Sequence, residues 1–241
     1  HRPKTDERVY LKHADMLRFN QYGEHAGAQI LNGNVAFLHK GALLTCDSAY
    51  FYQESNSFKA FGHVKMRQGD TLSLTSDYAF YDGDNQMAEA RHNVLLRHRG
   101  TKLYTDSLNY DRLYNIGYFF EGGKLIDNGS VLTSDWGEYD TKTRIAVFNY
   151  DVRLRNKKFY LTSDTLYYNT GSSLAHVVGP SNITSGNSHI YTEDAFYNTN
   201  KEYSELFGRS VMNDKGKSVV GDSVYYDSKK GTAEAFGNVI F

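Results

Sequence analysis

Eight aspartates, each followed closely by an aromatic residue, recur at Asp15, Asp47, Asp77, Asp106, Asp135, Asp164, Asp194 and Asp222. Carboxylates in such numbers could do two kinds of chemistry: hold calcium in a charged ladder, or serve as acids and bases in catalysis. Successive differences are 32, 30, 29, 29, 29, 30 and 28 residues. Each aspartate therefore falls on its own hairpin, without the tight cage of about six to eight oxygens that calcium needs. A catalytic carboxylate has no reason to recur eight times. Threonine stands two residues ahead in TCD at 45, TSD at 75, 133 and 162, and TED at 192, so the aspartates read as corner residues that satisfy nearby backbone donors.

Other reactive side chains point the same way. The nine histidines include His63, His92, His98, His176 and His189, and they form no HExxH pattern or close Cys/His pair, so no metal ligands are assigned. Cys46 is the single cysteine, which rules out an intramolecular disulfide. There is no GxSxG, and Gly122-Gly123 lacks the Lys-Ser/Thr partner of a phosphate loop. No catalytic residue and no cofactor follow from this sequence. Two basic stretches do stand out as candidate phosphate contacts: Arg91, Arg97, Arg99 and Lys102, then Arg153, Arg155, Lys157 and Lys158. Arg and Lys bind phosphate through charge-assisted hydrogen bonds, although basic residues in turns also keep sheets from aggregating. A net charge of −1 over 241 residues argues against nucleic acid as a partner.

The elements that position these residues are strands. Tyr 20, Phe 14 and only 2 Pro among 241 residues make a strand-rich composition, and no stretch sustains a helical period. Four residues after the aspartates stand Phe19, Phe51, Tyr81, Tyr110, Tyr139, Tyr168, Asn198 and Tyr226, with Asn198 breaking an aromatic column. Between the aspartates runs a second signature: GNV at 33, GHV at 62, HNV at 92, YDV at 150, GPSNI at 179, GRSV at 208 and GNV at 237, with a degenerate copy near Gly122-Gly123. Each unit holds two turn signals, hence two strands, and tight turns make neighbours antiparallel.

Within a strand the apolar phase changes at the aspartate. Leu44 and Leu74 sit three residues before it, whereas Ala49 and Ala79 sit two after. An odd offset cannot share a face with an even one, so a bend or bulge there carries each strand from one sheet to the other. The interior is then lined by Leu44, Leu74, Leu103, Leu132 and Leu161 from one strand type and by Val35, Val64, Val94, Val152, Ile183 and Val211 from the other. The expected fold is all-β: an elongated open antiparallel jelly roll of about eight ~30-residue hairpin repeats, forming a single domain over residues 1–241.

The unit (L)-T-S-D-x-x-x-Y, turn, A-x-G-N-V resembles the OstA/LptA-like family over essentially the whole chain. Its clearest copies are LTSDYAFYDGDNQMAEARHNV from Leu74 and LTSDTLYYNTGSSLAHVVG from Leu161. The resemblance implies an exported periplasmic protein, without enzymatic activity, that binds lipopolysaccharide or lipid A and passes it toward the outer membrane. It also implies like-folded jelly rolls of a transport bridge as partners, and end-to-end self-association. The opening HRPKTDERVY lacks a Met and an apolar signal core, consistent with a processed export product or with a sequence trimmed at its start. The final GNVIF stops in mid-pattern, as a piece of a longer protein would. The alternative reading is a secreted repeat module whose aromatic-rich outer face binds glycan or protein.

Overall fold

A computed structural model describes residues 8–241. The chain forms two compact units, His1–Glu121 and Gly122–Phe241, and the boundary falls in the degenerate copy at Gly122-Gly123. The first unit contains β1 (Tyr10–His13), β2 (Met16–Phe19), β3 (Gln29–His39), β4 (Ala42–Tyr52), β5 (Ser57–Gln68), β6 (Leu72–Asp82), β7 (Met87–His98), β8 (Thr101–Asp111) and β9 (Ile116–Phe119). The second contains β10 (Gly123–Asp127), β11 (Ser130–Ser134), β12 (Trp136–Asp140), β13 (Ile145–Arg155), β14 (Tyr160–Asn169), β15 (Leu174–Ser185), β16 (Ser188–Asn198), β17 (Tyr203–Asp214), β18 (Lys217–Asp227) and β19 (Thr232–Phe236). The fold is an all-β antiparallel jelly roll, and consecutive long strands pair in register as hairpins.

Every long strand bends where its register slips. Slips separate Asn32 from Val35, Phe61 from Val64, Arg91 from Val94 and Asn149 from Val152. At these corners two successive residues adopt left-handed backbone: Gly33 and Asn34, Gly62 and His63, His92 and Asn93, Tyr150 and Asp151. Glycine and asparagine tolerate that conformation best, which is the physical content of the GN signature. The bend divides each strand into two halves. One half belongs to what we call sheet I, next to turns such as Lys40-Gly41, and the other to sheet II, next to turns such as residues 53–56. The halves face each other. Phe37 of sheet I stacks on Phe58 of sheet II with centroids 3.9 Å apart, and Phe51 meets Phe37 edge-on at 5.2 Å.

The corner aspartates accept hydrogen bonds mostly from side chains of the neighbouring bend, and less from local backbone than the sequence suggests. Asn34 Nδ2 donates to Asp15 at 2.9 Å, Asn93 Nδ2 to Asp77 at 2.7 Å and Asn238 Nδ2 to Asp222 at 2.8 Å, while the His63 ring stands 2.7 Å from Asp47. The backbone part is satisfied by the residue just before the aspartate. Ser76, Ser134 and Ser163 each donate to the carbonyl two residues on.

Thr192 makes the same bond, to the Asp194 carbonyl, and this corrects the repeat register. Glu193, not Asp194, occupies the aspartate position of that copy. The aromatic column is unbroken, because Tyr197 is buried there. Asn198 is instead the turn residue equivalent to Asp82, Asp111, Asp140 and Asn169, whose side-chain oxygens all accept from amides two and three residues on.

The Asp47 corner yields a pH prediction. The hydrogen bond and charge of Asp47 hold the exposed His63 imidazole above its ordinary value. A raised value means the contact contributes fully below the ordinary imidazole value and is lost as pH rises through the folded one. In a proton NMR titration, Asp47→Asn should bring the His63 midpoint back down, and an unchanged midpoint would contradict the pairing.

Candidate functional site

The inward side chains form cross-strand rows between the two sheets. In the first unit, successive register partners Phe37, Leu44, Met66, Leu74, Leu96 and Leu103 make one row of sheet I, all buried. In the second, Leu125, Leu132, Leu154, Leu161, Ile183, Ile190 and Met212 make the equivalent row, also buried. Val35, Val64, Val94 and Val152 lie one row nearer the corner, opposite Cys46, Ser76, Thr105 and Ser163, and are buried too.

Two of the expected lining residues move. Ile183 is inward but belongs to the leucine row, because Ser181 takes the valine position opposite Thr192. Val211 is half-exposed on the outer alternation, with Ser210 and Met212 pointing inward on either side of it. In both strands the slip comes before the apolar residue, so the GPSNI and GRSV segments carry serine where other copies carry valine.

The gap between the sheets is filled by these side chains. The void beside Phe37, Phe58, Met66 and Tyr81 measures about 10 Å³, room for about one water and not for a hydrocarbon chain. Burial pushes the Cys46 thiol up to about 12, so it stays protonated and behaves as a small apolar residue.

Opposite the corners, the turns of the two sheets meet along a seam closed by polar contacts. In the first unit Arg112, only 7% exposed, reaches from a sheet II turn to a sheet I turn. Its Nη1 donates to the His39 carbonyl at 3.0 Å and to the Tyr81 hydroxyl at 2.8 Å, and its Nη2 to the Lys40 carbonyl at 2.8 Å. Its Nε donates to Gln68 at 2.8 Å. In the second unit the Tyr168 hydroxyl donates to buried Asp127 at 2.8 Å, Lys158 pairs with Glu202 at 2.9 Å, and Phe159 packs on Tyr197. Burial, with the Asp127 charge adding to it, pushes the Tyr168 phenol up to about 12, so this hydroxyl remains a donor across the physiological range. Sequence reasoning missed Arg112. Its one signal was an arginine standing where the equivalent turns carry Thr170, Thr199 and Ser228.

The basic candidates do not form one patch. Arg91 lies in sheet II, its Nη1 bound to the Ala90 and Leu108 carbonyls and to Asn109, because the corner before Val94 turns it away from Arg97, Arg99 and Lys102. Arg153 pairs with Asp151 at 3.2 Å, Arg155 lies 5.0 Å over the Tyr160 ring, and Lys158 is held in the seam. Lys157 is an exposed turn residue. Arg97, Arg99 and Lys102 stay together in sheet I, joined by two residues the sequence reading left out, Lys65 and Arg67. The 30-residue step from Arg67 to Arg97 was the available signal.

No curated protein matches this chain. Among solved structures it is similar to LptH, the LptA-homologous periplasmic component of the lipopolysaccharide transport device of Pseudomonas aeruginosa, at 19% identity and a TM-score of 0.42, with 45% of this chain and 82% of that one covered. The family model for OstA-like proteins matches residues 6–164. That match takes in more than half of the sequence, and the chain belongs to the OstA-like family.

Proposed function

We propose that this protein binds lipopolysaccharide and carries it through the periplasm toward the outer membrane, with acyl chains taken between sheets I and II and no chemistry performed on them. The observation that carries this reading is the asymmetry of the two edges of each unit. One edge is continuous backbone folded at the corners, whereas the seam is closed by side-chain contacts of Arg112, Asp127 with Tyr168, and Lys158 with Glu202. Parting the seam exposes rows that are apolar from Phe37 to Leu103 and from Leu125 to Met212. Each methylene buried there contributes ~0.8 kcal/mol without directional demands, so a chain can bind firmly and still slide. Like-folded jelly rolls of a transport bridge are the partners this reading requires, and a separate machine supplies the push that gives direction.

A photo-crosslinking residue placed at Leu74 or Leu132, in cells that make lipopolysaccharide, should label the lipid. The outward neighbour Thr133 should not. Equal labelling from Leu132 and Thr133 would reject the interior as the binding place.

One observation favours a second reading. His25, Tyr50, Phe61 and Tyr78 form a half-exposed ladder on the outer face of sheet II, with centroid steps of 4.4, 5.3 and 5.3 Å. Such a stripe suits the flat faces of sugars. Under that reading Tyr50→Ala abolishes glycan binding and the purified protein carries no lipid.

A further inference from the structure

We infer that the outer face of sheet I holds a phosphate-binding groove formed by Lys65, Arg67, Arg97 and Arg99, with Lys102 beside it as the cross-strand partner of Arg97, placed to take a phosphorylated headgroup at the rim of the seam. The groove encloses about 370 Å³. Lys65 and Arg67 stand on one side of it and Arg97 and Arg99 on the other, with Thr71, Leu72 and Ser73 between them. Register makes the arrangement compact: Arg67 is the partner of Ser73, Ser73 of Arg97, and Arg97 of Lys102. Two arginines separated by a single strand stand roughly 10 Å apart at the backbone, a span that long guanidinium arms can close on one phosphate from both sides. The small Ser73 side chain leaves the middle free and offers a hydroxyl.

Four cations line the groove, Lys102 on the next strand makes a fifth, and the one carboxylate in the lining is Asp70, in a chain whose net charge is −1. The ion pairs formed among the described residues use none of the five. Arg97 and Lys102 stand directly opposite on β7 and β8, an arrangement of like charges that destabilises a sheet and that a bound anion relieves. Protection of a sheet edge does not account for them, since β5, β6 and β7 are each paired on both sides. Position supplies the rest. Gln68, next to Arg67, accepts from Arg112 and donates to Asn115, so the groove adjoins the contacts that close the seam. An amphiphile whose chains enter there would leave its phosphates at this groove. The headgroup assignment rests on the proposed lipid transport; the groove's affinity for phosphate does not.

Two titrations of the whole protein separate these claims. In nitrogen-15 NMR, sodium pyrophosphate should shift the Gly69, Thr71 and Ser73 amides, and the shifts should vanish in Arg67→Ser/Arg97→Ser, whose thermal midpoint should be no lower than that of the parent. Absent shifts, or shifts that persist in the double variant, overturn the groove. Lipid A and its dephosphorylated form are then compared by a fluorescence binding assay. The double variant should bind lipid A weaker by roughly tenfold or more and dephosphorylated lipid A unchanged. Equal lipid A binding by parent and variant overturns the headgroup assignment. Failure of the parent to bind either lipid overturns that assignment together with the transport reading, and the pyrophosphate arm still decides the groove by itself.

Discussion

Arg112→Ala should destabilise the first unit by about 2–4 kcal/mol, read from the urea midpoint. The guanidinium is buried and spends its Nε, Nη1 and Nη2 groups on Gln68, the His39 and Lys40 carbonyls and the Tyr81 hydroxyl. Truncation strands the buried His39 carbonyl and Tyr81 hydroxyl, where an unmet polar group costs about 1–3 kcal/mol, and leaves the Lys40 carbonyl and Gln68 to water. It also returns a buried cation to nothing, which offsets part of that loss and keeps the total below the sum of the bonds. Arg112→Lys separates fork from charge. An ammonium can satisfy one or two of these acceptors but not all of them in one plane, so most of the destabilisation should remain. If the seam is the route for lipid, Arg112→Lys should also exchange bound lipid faster than the parent at equal affinity for the filled state. A variant as stable as the parent would show that the seam is held elsewhere.

What the sequence revealed and what it concealed divide along physical lines. The corners were legible because a left-handed pair of residues favours glycine or asparagine, and the odd-to-even phase change demands a bulge; both are local. The register at Asp194 was misread because TED looks like TSD, while the bond that defines the position, from Thr192 to the carbonyl two residues on, carries no spelling. Ile183 and Val211 were misplaced for the same reason, since a one-residue slip exchanges the faces of everything after it. Arg91 was grouped with Arg97 by nearness in sequence, and the bend between them parts their environments. Pattern marks Arg112 only as an odd residue in its turn and says nothing of its role, because its acceptors at His39 and Lys40 lie 73 and 72 residues away, across the gap between two sheets. The filled interior was equally hidden: alternation says which side chains point inward, not whether their volumes close the space.

That filled interior makes the Phe58→Ala variant informative. Phe58 is 1% exposed, stacked 3.9 Å from Phe37 and 5.3 Å from Tyr81, beside the void of about 10 Å³. Removing a buried phenyl group costs about 3–5 kcal/mol, part of it the cavity left behind. The cavity is apolar, so it stays dry and receptive to hydrocarbon. Dodecanol, its terminal carbons entering this cavity, should therefore stabilise the variant by about 2.7 kcal/mol at a hundredfold excess over its dissociation constant, read as a raised thermal midpoint. The parent protein must part its sheets before it can accept the same chain. It should bind dodecanol more weakly than the variant, by a margin that measures the work of opening the seam. Equal affinity in the two proteins would place the alkyl chain outside the gap, and with it the acyl chains of any lipid this protein carries.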